Sequence, residues 1–195
     1  MQVKPLEESQ VKDIYERYMP EAFPPGELKP WWAMERLLHS GQYFCYGLFA
    51  EEQLVCYGFY FRPSPHCQLL DYLAVLPGIR SRGYGSVFLQ QIAELQKDVM
   101  TLGEVENPAA TDVAAEKTLR MRRIGFYERN GFRLTLVRSC LFGVKYWIMV
   151  QNAPEVLTDR QVYDALTYIY QNLFPVPPEK LRQIMQMAIL DKKEE

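Results

Sequence analysis

The sequence predicts an α/β protein, an α+β mixed sheet with helices on both faces, and three observations carry that reading. Hydrophobic residues make up 48% of 195, enough for one domain with a well-filled core. The spacing of those residues alternates along the chain between the helical period and the apolar runs of strands, in the order αα-βββ-α-β-α-ββ, with two further helices at the end. Proline and glycine punctuate the changes, as at Pro24-Pro25-Gly26 and Pro77-Gly78.

Met1–Pro5 reads as a short strand. Val11, Ile14, Tyr15 and Tyr18 then recur at i, i+3, i+4 and i+7, the stripe of an amphipathic helix ending before Pro20. A second short helix is expected from Pro30, where proline fits the first turn, through Trp31-Trp32 to Leu38. The tryptophans suit either the core or a substrate wall, and core is the expectation. Gln42–Ala50 and Gln53–Phe61 are rich in Tyr, Phe, Val and Cys and flank Glu51-Glu52, the pattern of an antiparallel hairpin. Cys67–Leu76 is a third strand, followed by a helix with the stripe Tyr84, Val87, Phe88, Ile92 and Leu95. Val99–Glu106 reads as a strand, residues 109–124 as a helix, and Phe132–Cys140 with Val144–Val150 as closing strands.

Residues 1–152 thus form one domain, and residues 153–195 a helical extension packed on it. Thr158 and Gln161 frame a capping box, and Val162, Leu166, Ile169, Tyr170 and Leu173 supply the buried face of the helix it opens. After Pro175–Pro178, the residues Leu181, Ile184, Met185, Ala188 and Ile189 fit a second amphipathic helix ending in a charged tail. Against packing on the sheet stands the alternative that this pair covers a partner.

The charge balance, 22 basic against 24 acidic residues and a net charge of −2, argues against nucleic acid as a partner. Lys4, Glu7, Glu8 and Lys12 rule out a secretory apolar segment at the start, and no apolar run nears the ~20 residues that span a bilayer. A cytoplasmic protein without membrane association is expected. Cys45, Cys56, Cys67 and Cys140 are widely spaced on strands, with no Cys-x-x-Cys pair, and read as buried thiols. His39 and His66 stand in no catalytic or ligand motif, so no metal is expected.

Chemistry concentrates in Leu70–Leu89, where an apolar strand leads through Pro77 and a basic, glycine-rich turn into a helix. A helix N-terminus presents unpaired N–H groups and the positive end of the helix dipole, and glycines let an anion approach them. Arg80 and Arg82 add charge-assisted contacts, so the turn suits a pyrophosphate. It lacks the Gly-Lys-Ser/Thr of a Walker A loop, and Phe88 stands where a Rossmann fingerprint needs glycine. The plainer alternative is an ordinary turn with solvated arginines.

Arg80-x-x-Gly83-x-Gly85 resembles the acyl-CoA signature of the GNAT superfamily of N-acetyltransferases, and Phe126-Tyr127-Glu-Arg-Asn-Gly131-Phe132 resembles its later Tyr and Gly-Phe signature. The resemblance covers roughly residues 1–150. It implies a GNAT-like fold and acetyl-CoA as co-substrate, bound by Arg80, Ser81, Arg82, Gly83, Tyr84, Gly85 and Ser86, with the pantetheine arm along Leu73, Ala74 and Val75. It also implies Tyr127 as the acid that protonates the departing thiolate; without the resemblance Tyr127 reads as a core aromatic. Many members place an Asn after the fifth strand and the Tyr about seven residues on, whereas a longer charged stretch separates Asn107 from Tyr127 here. That stretch either shapes an acceptor pocket or lengthens a helix.

Amide formation needs a neutral amine, and a lysine-like ammonium at pH 7 lies about 4.6 kcal/mol from neutrality, so a proton acceptor is required. Glu104 and Glu106, two apart on one strand, share a face; the resemblance favours Glu104 as the base. Asp71 and Glu106 are candidates for binding a cationic acceptor. Each carboxylate has a plain alternative, an exposed strand face or, for Asp71, a strand end. The function expected is acetyl transfer from acetyl-CoA to a primary amine by direct attack, the acceptor being a small cationic amine. The alternative is a non-catalytic acyl-CoA-binding or protein-interaction module of the same fold. Expected partners are a small-molecule or peptide amine, with a homodimer left open.

Overall fold

The computed structural model describes residues 1–191 and divides into two compact units, Met1–Arg62 with Leu70–Leu95, and Pro63–Leu69 with the chain from Gln96 onward. Among the described residues the strands form a mixed sheet.

In the first unit β1 (Gln2–Pro5), β2 (Tyr43–Ala50) and β3 (Gln53–Phe61) run antiparallel, and β4 (Cys67–Val75), which belongs to this unit from Leu70 on, comes next. Ala50 pairs with Gln53, so Glu51-Glu52 is a two-residue loop. Both glutamates have positive φ, 49° and 67°, the geometry that matches the right-handed twist of a tight hairpin even though glycine or asparagine adopts it more cheaply. α1 (Glu8–Arg17) opens with Gln10 Oε1 accepting from the Glu7 N–H at 2.8 Å, and it buries Val11 and Ile14. The chain does not leave the helical region before Pro20: α2 (Met19–Ala22) takes that proline in its first turn, where the missing N–H costs nothing.

α3 (Trp31–His39) buries Met34 and Leu37. Trp31 is half-buried against Tyr15, ring centroids 5.2 Å apart, but Trp32 is 66% exposed, which corrects the core expectation for the second tryptophan. One residue further round the helix, Trp32 falls outside the buried stripe. α4 (Tyr84–Leu95) buries Phe88, Leu89 and Ile92, and Phe88 lies so close to β3 that only a glycine fits opposite it, at Gly58. Leu95, expected in the stripe, is 62% exposed at the helix end.

In the second unit β5 (Met100–Glu106), β7 (Val144–Gln151), β6 (Arg133–Leu141) and β8 (Met185–Ile189) pair antiparallel in that order. A short 3₁₀ turn, Pro108–Ala110, separates β5 from α5 (Ala114–Arg129), which begins and ends about five residues later than its charge and apolar pattern suggested. Pro108 and the Thr111 side chain, which accepts from the Val113 N–H, hold the chain out of the helix until residue 114. α6 (Asp159–Leu173) is capped by Thr158, whose hydroxyl accepts from the Gln161 N–H at 3.3 Å, and buries the five residues expected of it.

The final segment differs from the expected helix. α7 (Pro178–Ile184) ends at Ile184, and Met185–Ile189 is the strand β8, paired with β6 from Leu141↔Met185 to Val137↔Ile189. Met185, Met187 and Ile189 alternate with Gln186 and Ala188, a period that serves a strand as well as the helical stripe, and the open edge of β6 supplies the missing hydrogen bonds. Of the charged tail, Lys192–Glu195 lie outside the described residues. Cys45, Cys56 and Cys67 are buried on strands, while Cys140 is half-buried on β6. Among the described residues no helix is long and apolar enough to cross a membrane.

Candidate active site

The basic turn and its flanks belong wholly to the first unit. β4 ends at Val75, with Leu73, Ala74 and Val75 half-buried, and the chain passes through Arg80, Ser81, Arg82 and Gly83, all exposed, into α4. Ser81 and Gly83 have φ of 66° and 81°, so the turn reverses twice through the left-handed region. Gly83 O accepts the first helical bonds, from Ser86 N at 3.0 Å and Val87 N at 3.1 Å. Among the described residues no chain acceptor takes the N–H groups of Arg82, Gly83, Tyr84 or Gly85. A Cβ built on Gly83 would meet nothing within 4 Å.

Open donors, free space over the glycine and two exposed guanidinium groups together fit a diphosphate. Beside them, the hydroxyl of Tyr57 on β3 is wholly buried and makes no hydrogen bond among the described residues. Burial pushes its pKa well above the ordinary tyrosine value, against the opposing pull of the Arg80 charge. It therefore remains a donor. Sequence reasoning missed Tyr57, since nothing in an apolar strand marks one aromatic hydroxyl as lacking a partner.

Asp71 is already engaged within this unit. Lys29 Nζ lies 2.6 Å and 2.9 Å from its two oxygens, and the Tyr43 hydroxyl donates at 2.5 Å. The loop carrying Lys29 is fixed further by Tyr72, whose hydroxyl accepts from the Lys29 N–H and donates to Glu27 O, and whose ring lies 4.9 Å from Lys29 Nζ. Burial first, and the Asp71 charge second, raise the pKa of both Tyr43 and Tyr72. An amine from the chain itself thus occupies the position where an acceptor cation was expected to sit. Lys29 had no motif to announce it.

The second unit holds the other candidates. Glu104, on β5, accepts hydrogen bonds at Oε1 from the Tyr170 hydroxyl of α6 and from Ser139 Oγ of β6, the latter at 3.2 Å. Glu106 instead faces arginines: Arg120 at 2.9 Å and Arg123 at 2.5 Å, both from α5. The charged stretch before Tyr127 therefore neutralises Glu106. Asn107 accepts from the Ala109 N–H at 2.8 Å and caps the 3₁₀ turn, so its side chain is committed to the fold. Tyr127 lies in the last turns of α5, its ring edge-on to Phe126 and Phe132 at 5.3 Å and 5.2 Å. Among the described residues no group of His, Cys, Asp and Glu is arranged to hold a metal ion.

A strand that leads into an open, basic helix N-terminus is an anion-binding arrangement. Residues 41–134 match the acetyltransferase (GNAT) domain, the family whose two signatures the chain resembles. No curated protein sequence matches the chain. Among solved structures, a GNAT-family protein from Bacteroides thetaiotaomicron superimposes with a TM-score of 0.74 at 21% identity, over 91% of this chain and 100% of its own. An Enterococcus faecium aminoglycoside 6'-N-acetyltransferase gives 0.56 at 12% identity, over 80% and 100% of the two chains. A GNAT acetyltransferase from Elizabethkingia anophelis, solved with acetyl-CoA bound, gives 0.54 at 11% identity, over 77% and 96%.

Proposed function

We propose that this chain is an acetyl-CoA-dependent N-acetyltransferase that acetylates a primary amine by direct attack, with a small cationic amine as acceptor. The observation that carries the reading is the set of open N–H groups from Arg82 to Gly85 at the start of α4, flanked by Arg80 and Arg82. In this reading they bind the diphosphate of acetyl-CoA with Ser81, Tyr84 and Ser86, and the pantetheine arm follows Leu73–Val75.

Glu104 is the proton acceptor and Tyr127 the acid. An ammonium proton passes to Glu104, and the amine nitrogen attacks the thioester carbon. The C–S bond breaks, the departing thiolate takes the Tyr127 proton, and the second proton that the nitrogen releases as the amide forms restores the tyrosine hydroxyl through solvent. The two glutamates have different partners. Arg120 and Arg123 pair with Glu106, whereas Glu104 takes hydrogen bonds from the hydroxyls of Ser139 and Tyr170. In this reading Glu104 also meets the cationic acceptor; Asp71 is bound to Lys29 and Glu106 to arginines. The Enterococcus faecium structure is that of an aminoglycoside 6'-N-acetyltransferase, which is consistent with such an acceptor without defining it.

The test has two stages. Acetyl-CoA at about a hundred times its Kd should stabilise the protein by about 2.7 kcal/mol, and Arg80→Glu with Arg82→Glu should abolish the shift, since both side chains are exposed and their replacement leaves the core intact. Release of free thiol on adding a panel of cationic amines then measures transfer. Stabilisation without release from any amine would favour a non-catalytic acyl-CoA-binding module, and no stabilisation at millimolar acetyl-CoA would sink the proposal.

A further inference from the structure

We infer that Tyr170, on the helix that follows the acetyltransferase domain, is a positioning residue for Glu104: its hydroxyl orients the carboxylate and favours its ionised, proton-accepting form. The inference rests on Glu104 as the base. It gives α6 a part in the chemistry, although that helix lies beyond the residues that match the family domain, 41–134.

The cluster is built from three elements of the second unit. β5 supplies Glu104, β6 supplies Ser139, which is 4% exposed, and α6 supplies Tyr170, which is wholly buried. Both hydroxyls donate to the same carboxylate oxygen. Two donors on one oxygen fix the rotation of the carboxyl group and stabilise its negative charge. Burial, and next the Glu104 charge, hold the Tyr170 pKa well above its ordinary value, so the hydroxyl keeps its proton and stays a donor at every working pH. The other titratable group facing the tyrosine is Tyr146 on β7.

Tyr170 is itself held rigidly. Thr158 caps the helix, Asp159 accepts from the Leu136 N–H of β6 at 2.8 Å, and Leu166, Ile169 and Leu173 are buried alongside. The Phe174 ring lies 6.0 Å from the Tyr170 ring. Glu106, two residues along β5, forms ion pairs with Arg120 and Arg123 of α5. Ser139 and Tyr170 donate to Glu104 while Arg120 and Arg123 pair with Glu106, and one of the two hydroxyls on Glu104 comes from α6.

The experiment compares the pH profile of kcat/KM for the full chain, Tyr170→Phe and Ser139→Ala. A donor to the carboxylate lowers its pKa, so removing the Tyr170 hydroxyl should move the acidic limb upward by about one pH unit, with about a tenfold loss below the limb. Ser139→Ala should move it the same way by less, and carries the test if Tyr170→Phe does not fold. Ile169→Val, a buried change on the same helix, should lower Tm and leave the limb in place. A Glu104 carboxyl titration followed by carbon-13 NMR should show the same upward shift without turnover. An unmoved limb and an unmoved titration in both hydroxyl variants, with acetyl transfer intact, would overturn the positioning role alone. Full activity in Glu104→Gln would overturn the base and the positioning role together while leaving acetyl-CoA binding standing.

Discussion

The pairing of Lys29 with Asp71 makes a prediction that decides between structural and acceptor-binding roles for Asp71. Lys29 Nζ sits 2.6 Å from Asp71 Oδ1, with side-chain exposures of 19% and 9%. At an effective dielectric near 20, the Coulomb attraction at that distance is about 6 kcal/mol, and desolvation of the two groups offsets roughly half or more of it. Removing one member of a buried pair typically costs about 3–5 kcal/mol, because the other charge is left behind. Here the Tyr43 hydroxyl still donates to Asp71, so Lys29→Met should fall at the lower end, about 3 kcal/mol. For a chain of this length that lowers Tm by roughly 6–12 °C. Asp71→Asn should cost a similar amount. The double variant should cost about 2 kcal/mol less than the sum of the singles, measured as a double-mutant cycle in urea. If the singles simply add, the pair is not structural, Asp71 is available to an external cation, and the reasoning that confines cation recognition to Glu104 fails.

Two further outcomes follow from packing and from titration. Gly58→Ala places a Cβ 2.6 Å and 2.7 Å from two Phe88 ring carbons in a fully buried site, and should cost about 1–3 kcal/mol in urea denaturation, with Phe88→Leu restoring part of the loss. An unchanged midpoint would mean that the ring yields freely. Burial pushes the Cys56 thiol up to about 12, while the unfolded chain releases that proton near pH 8.5. The unfolded state therefore binds fewer protons than the folded one between those values, and stability is full below the lower one and declines as pH rises, by up to about 1.4 kcal/mol per unit for this group. Cys56→Ala should flatten that decline, and a slope unchanged by the substitution would assign it to other buried acids such as Tyr43 and Tyr72.

What the sequence disclosed and what it withheld divide along a physical line. Signals carried by local spacing survived: the stripe of α6, the capping pair Thr158 and Gln161, the hairpin around Glu51-Glu52, and the glycine turn before α4 each depend on neighbours within a few residues. The end of the chain misled because Met185 to Ile189 satisfies helical and strand periods at once, and only the open edge of β6, supplied by residues more than forty positions earlier, decides between them. The candidate site shows the same division. Asp71, Glu104 and Glu106 were recognisable as acidic residues on strands, but their chemistry is set by partners far along the chain: Lys29 for Asp71, Tyr170 for Glu104, Arg120 and Arg123 for Glu106. A carboxylate's capacity to accept a proton is a property of those partners more than of its own position. Three equivalent acids in the sequence thus become one bound to an amine, one bound to guanidinium groups and one that accepts from hydroxyls, the last being the base we propose.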